Sequence, residues 1–141
     1  MPLRSLAGVI LGIAVWICLF MAVGIGFGLI LPEYREAARE LFGNGDSSLF
    51  TTPLYLLNWV VFTVIGLIAG AVAAVVSRNR TAPMVLAAIY LIAMIADHYI
   101  LAWDTFPVWY NLIVPFVIAG TLYLGASLAA KRLKSTDPRT V

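Results

Sequence analysis

Residues 6–31 contain no charged side chain, and no soluble fold of this size hides such a run. The run is 26 residues long. As a helix rising 1.5 Å per residue it measures about 39 Å. That crosses a hydrocarbon core of about 30 Å with some tilt. Within lipid the backbone must satisfy its own hydrogen bonds, so a spanning segment of this length is a helix. Arg4 precedes the run, as a basic residue precedes a signal peptide. The run is too long for a signal h-region, however, and no Ala-x-Ala site closes it. We read it as a retained first span.

The rest of the chain fits that reading. Hydrophobic residues make up 62% and charged residues 11%, whereas soluble domains carry about a quarter charged residues. The surplus apolar surface must meet a lipid bilayer. Further spans fall at residues 54–76, 82–103 and 108–130. The third has a length problem. Residues 82–96 give only 15 uncharged positions, short of the roughly 20 a crossing needs. Extension to residue 103 supplies 22 positions and draws Asp97 and His98 into the helix. Within the fourth span, Pro115 leaves the Asn111 carbonyl without its helical donor and predicts a distortion.

Between spans one and two, residues 33–42 predict a short amphipathic helix. Tyr34, Ala38, Leu41 and Phe42 fall on one side, and Gly43-Asn44-Gly45 ends it. Thr81 is the expected N-cap of span three. The fold class is therefore an all-α membrane protein, a single domain over residues 1–141. It is a four-helix transmembrane bundle with one short helix outside the membrane.

Charge sets the expected orientation. With both termini cytoplasmic, Arg4, Arg78, Arg80, Lys131, Arg132, Lys134 and Arg139 lie inside, and only Arg35 and Arg39 lie outside. Loops 32–53 and 104–107 are then external, and loop 77–81 and tail 131–141 cytoplasmic. Trp59, Trp103, Trp109, Tyr55, Tyr99 and Tyr110 gather at the external ends of the spans, where an aromatic belt belongs.

Lipid tails are as apolar as leucine, so membrane helices associate through close contact and polar links. Gly66 and Gly70 lie on a small-residue stripe with Thr63, Ala73 and Ser77. Gly8 and Gly12, and again Gly24 and Gly28, form small-xxx-small pairs. The simplest pairing joins spans one and two; a homodimer would use the same stripe.

Residues 97–111 hold the lone histidine and two of the four tryptophans. Counted from the external end, Asn58 lies about 6 Å deep, Asp97 about 8 Å and Asn111 about 4 Å. His98 and Asp104 join them at the rim. A carboxylate in a span faces the bundle or water and takes a polar partner, so Asp97 is expected to bond to Asn58, Asn111 or a tyrosine hydroxyl. Two readings follow. In the favoured one the cluster is a clasp pinning three helices together. In the other it is an external pocket for an ion, proton or headgroup, with Asp97 titrating and His98 as proton partner.

Other chemistry is poorly served. Cys18 is alone, which excludes an intramolecular disulfide and a CxxC site. One histidine cannot supply a haem pair, and His98, Asp97 and Asp104 lack a fourth zinc ligand. No catalytic residue, metal or cofactor is expected. A net charge of +2 does not suggest nucleic acid.

Five features together carry a resemblance: Arg4 before Gly8 and Gly12, the Leu31-Pro32 break, Gly66 with Gly70, the basic turn of Arg78 and Arg80, and Pro107-x-Trp109. In these the chain resembles uncharacterised small four-span bacterial inner-membrane proteins. That resemblance implies an inner-membrane location and no reaction. The expected function is a non-enzymatic accessory or structural subunit of a membrane complex, partnered by other membrane subunits or by further copies of itself. The alternative is a small oligomeric transporter or channel using the pocket around Asp97.

Overall fold

The computed structural model describes residues 3–135, with side chains described through Arg132. The side chain of Lys134, and Asp137 and Arg139 altogether, lie outside the described residues. Helix α1 spans Leu3–Ile30, α2 Pro32–Asn44, α3 Thr52–Ser77, α4 Thr81–Ile95 and α5 Val108–Ser135. A π-helical segment, Ala96–Leu101, continues α4. With that segment included, four of these helices are long and apolar enough to cross a membrane. The protein is an all-α four-helix bundle. The four spans alternate in direction, so the start of α1 and the end of α5 lie at one end of the bundle with the α3–α4 turn. Helix α2 and the α4–α5 turn lie at the other, distal end.

The expected span limits shift by a few residues, except at Val108, where the fourth span starts as expected. The largest shift is in the tail: α5 continues to Ser135, where a polar tail was expected from residue 131. Lys131 and Arg132 are good helix formers, and the helix simply carries on out of the apolar zone.

Helix α3 is the central element and uses two faces. Gly66 and Gly70 face α5. A Cβ on Gly70 would lie 2.7 Å from the Leu122 carbonyl carbon, and one on Gly125 would lie 2.7 Å from the Leu67 Cα. The two backbones therefore touch directly, each helix supplying a glycine. On the other side, Ala69, Ala73 and Ser77 receive α1. A Cβ on Gly8 would lie 2.8 Å from the Ala73 carbonyl oxygen, and one on Gly12 3.2 Å from the Ala73 Cβ. The expected pairing of Gly66 and Gly70 with span one is thus corrected. The small residues of α3 form a broad band rather than one stripe, and it divides between two neighbours. Gly24 and Gly28 have nothing within 4 Å; among the described residues, the second small pair of α1 meets no close neighbour.

At the termini end, Arg78 takes a left-handed conformation, φ 52°, and ends α3. The Asn79 carboxamide then closes the turn. Its Oδ1 accepts from the amides of Thr81 and Ala82, at 3.0 and 3.2 Å, and its Nδ2 donates to Ser5 Oγ at 2.6 Å. Asn79, not Thr81, caps α4. One side chain thereby joins the start of α1 to the α3–α4 turn.

Helix α2 follows its amphipathic pattern with one change. Tyr34 and Ala37 are buried, Ala38 and Leu41 pack against the core, and Phe42 is 76% exposed. At 100° per residue Phe42 lies about 80° from Tyr34, on the far side from Leu41. Gly45, at φ 70°, supplies the left-handed cap, its amide bonding back to Leu41 O at 3.0 Å.

Candidate functional site

At the distal end side chains from α1, α2, α3, the π-helical segment and α5 converge, and the π winding sets which of Asp97 and His98 points inward. Leu86 and Tyr90 are buried on α4. Seven residues make almost two α-helical turns, so an unbroken α-helix would put Asp97 on the face of Tyr90. The wider π winding rotates the following residues back. His98 takes the inward place and is 4% exposed, while the Asp97 side chain is 50% exposed. The bond from Ala102 N to Asp97 O, 2.8 Å over five residues, is the mark of that winding.

His98 meets Asn111, which the start of α5 presents to the core with 0% exposure. His98 Nδ1 lies 2.8 Å from Asn111 Oδ1. The Asn111 amide donates to Trp103 O at 2.9 Å and Phe106 O at 3.2 Å. Two carbonyls can only accept, so they fix the amide nitrogen on their side. Oδ1 is then the acceptor toward His98, and His98 Nδ1 carries the proton. The other ring nitrogen, Nε2, lies 4.0 Å from Asp97 Oδ2. This arrangement holds the turn between α4 and α5, and it leaves Nε2 facing a carboxylate.

The expected partners of Asp97 are taken. Asn111 serves His98, and Asn58 Oδ1 accepts from the Tyr34 hydroxyl at 3.3 Å, which ties α2 to α3. Asp104 is exposed on the turn. Of the five polar residues singled out in the sequence, the structure joins His98 with Asn111 directly, sets Asp97 beside His98, and leaves Asn58 and Asp104 apart. Among the described residues no group of three histidine, cysteine, aspartate or glutamate side chains is placed to hold a metal.

Rings fill the space around this network. Tyr110 lies 5.7 Å from His98, 5.6 Å from Phe106 and 4.8 Å from Tyr55. Phe50 stands 5.4 Å from Tyr55 and 6.0 Å from Tyr34, and Tyr34 5.4 Å from Phe27. Ser47 Oγ donates to Thr105 O across the loops. Burial pushes the Tyr34 phenol up from its ordinary value of 10.0. Two indole nitrogens, Trp16 Nε1 and Trp59 Nε1, are buried with no hydrogen-bond partner among the described residues.

Sequence reasoning missed Tyr34 as the partner of Asn58, and the carbonyls of residues 103 and 106 as acceptors for Asn111. An asparagine four residues before Pro115 and four after Pro107 was the available signal for the second. Nothing local announced the first.

Compared with known proteins, the chain matches no family model, no curated protein and no solved structure. What the four apolar helices define is a class: a multi-pass, all-helical membrane protein.

Proposed function

We propose that this chain is a non-enzymatic accessory or structural subunit of a membrane complex, lying in a bacterial inner membrane with both termini cytoplasmic. The observation that carries the reading is the closed interior. Leu86, Val114, Ile118, Leu122, Ala69 and Ala73 are all 0% exposed. Between the turn at Arg80 and the level of Asp97, no span holds an aspartate, glutamate, lysine, arginine or histidine. A solute would meet packed hydrocarbon there, where a charge costs about 3 kcal/mol or more at the bilayer centre. The unfilled Gly24–Gly28 pair supports a partner helix outside this chain, because small residues four apart admit close backbone contact.

The test is purification in mild detergent with mass spectrometry of what stays bound. A stoichiometric membrane partner, or a second copy, should be present and should be lost in Gly24→Leu with Gly28→Leu. A chain that elutes alone and unaccompanied would overturn the subunit reading. Cysteines placed at Asn44 and Arg78 test orientation. Asn44→Cys should react with an impermeant maleimide in whole cells, and Arg78→Cys should not.

One observation favours the transporter reading, in which several copies surround a path. His98 Nε2 faces a half-exposed Asp97 at a π-helical turn, and such turns recur at functional sites. Proton or cation flux into liposomes, abolished by Asp97→Asn, would establish that reading in place of the first.

A further inference from the structure

At the termini end, α5 stands off from the α3–α4 turn and leaves a shallow recess open to the surface. Its floor is made of small side chains, Pro83, Ala126 and Ala130, and its rim of Arg80, Tyr123 and Ser127. Asn79 also borders it, but the Asn79 amide is fully committed to Ser5 and to the start of α4. The Arg80 guanidinium, the Tyr123 hydroxyl and the Ser127 hydroxyl, by contrast, have no hydrogen-bond or ion-pair partner among the described residues. One cation and two hydroxyl donors thus surround an open hollow at the level where a span leaves the membrane.

We propose that this recess binds the phosphate of an anionic phospholipid headgroup. Three features argue for that occupant. The first is charge. Arg4, Arg78, Arg80, Lys131 and Arg132 all lie at this end, and among the described residues no acidic side chain does. Glu33, Glu36, Glu40, Asp46, Asp97 and Asp104 are at the distal end or on its loops. The second is donor chemistry, since guanidinium and hydroxyl groups together suit phosphate oxygens, which only accept. The third is the surface above. Tyr123 is 51% and Phe116 58% exposed, and Gly120 between them has nothing within 4 Å. These positions share a stripe with Ser127 at helical spacing. An acyl chain leaving the recess can lie past the Tyr123 ring and over the Gly120 notch toward Phe116. A free phosphate would use the rim and have no use for the stripe. Basic recesses between spans are a recurrent form of anionic headgroup recognition.

The experiment uses the full chain in mild detergent, incubated with equal amounts of phosphatidylglycerol and phosphatidylcholine, with retained lipid read by native mass spectrometry. Phosphatidylglycerol should be retained over phosphatidylcholine. Arg80→Gln should lower that retention about fivefold, the scale of one basic contact with an anionic lipid. Ser127→Leu, which fills the hollow without changing charge, should lower it too. Arg78→Gln, at the same end but off the rim, should leave it unchanged. Arg80 and Arg78 are both exposed, so these variants keep the fold, and thermal unfolding in the same detergent verifies it. Equal retention of the two lipids would overturn the proposal. So would an equal loss in Arg78→Gln, which would mean diffuse attraction. Displacement of the lipid by millimolar inorganic phosphate would assign the recess to free phosphate instead.

Discussion

Helices α3 and α5 meet twice, and the two meetings are of different kinds. Toward the termini their backbones touch, Gly70 against Leu122 and Gly125 against Leu67. At the distal end the same two helices are kept apart by rings, Tyr55 against Tyr110 at 4.8 Å and Trp59 against Trp109 at 6.3 Å. The first contact has no room for an added atom. The second carries polar groups, some paired, as Asn111 is with His98, and one, Trp59 Nε1, without a partner among the described residues. In lipid, where burial of apolar surface does not drive helices together, these are two separate ways to hold a bundle. The first fixes how close the helices come, and the second fixes which residues face each other.

The comparison breaks most sharply at Gly70. Gly70→Val drives two methyl groups into the Leu122 backbone, and we expect a loss of about 3 kcal/mol in detergent unfolding. The same change at Gly26, which has nothing within 4 Å, should stay within about 0.5 kcal/mol. If the two variants lose equally, the backbone contact is not what holds α3 to α5.

At the distal end the damage comes from removal. Asn111→Leu leaves His98 Nδ1 and the carbonyls of residues 103 and 106 without their partner, and should cost about 2 kcal/mol. Adding His98→Leu should recover part of that loss, because one stranded donor disappears with it. Tyr34→Phe gives up a single bond to Asn58 and should cost about 1 kcal/mol. Because burial raises the Tyr34 phenol, the neutral form is favoured in the folded state. That contribution is intact below pH 10 and is lost as pH rises through the raised value. The gap in melting temperature between wild type and Tyr34→Phe should therefore narrow above pH 10. Asp97→Asn is the smallest effect, within about 0.5 kcal/mol, since half of that side chain meets solvent. A loss of several kcal/mol there would make Asp97, not Asn111, the centre of the clasp.

Much of the fold was legible because lipid imposes length. The four spans follow from counting uncharged residues, and the shortfall after Ala96 correctly brought Asp97 and His98 into the third helix. Counting cannot give rotation. Asp97 was read as facing the bundle or water because a carboxylate within a span is costly, and His98 as a rim residue; charge alone says nothing of winding. The π winding exchanges them, and the inward His98 then meets the buried Asn111, 13 positions away. Gly8, Gly12, Gly66 and Gly70 were legible as contact residues, but the partners of Gly66 and Gly70 were not, and Gly24 with Gly28 meets nothing within 4 Å. A band of small side chains on α3 does not say which neighbour takes which edge. The partner of Asn58 was missed, because Tyr34 comes from a helix outside the spans.

The π-helical segment also has a consequence for how this chain can change length. A π turn holds one residue more than an α turn needs. Deleting Ala96 would move His98 to the seventh position after Tyr90, where an ordinary α-helix points it inward. Its bond to Asn111 could then form without the wider winding. Residue deletion within a span normally turns every later side chain to a new face. Here the chain carries its own spare residue, and the third helix should accept a deletion at Ala96 far better than one at Leu86 or Tyr90.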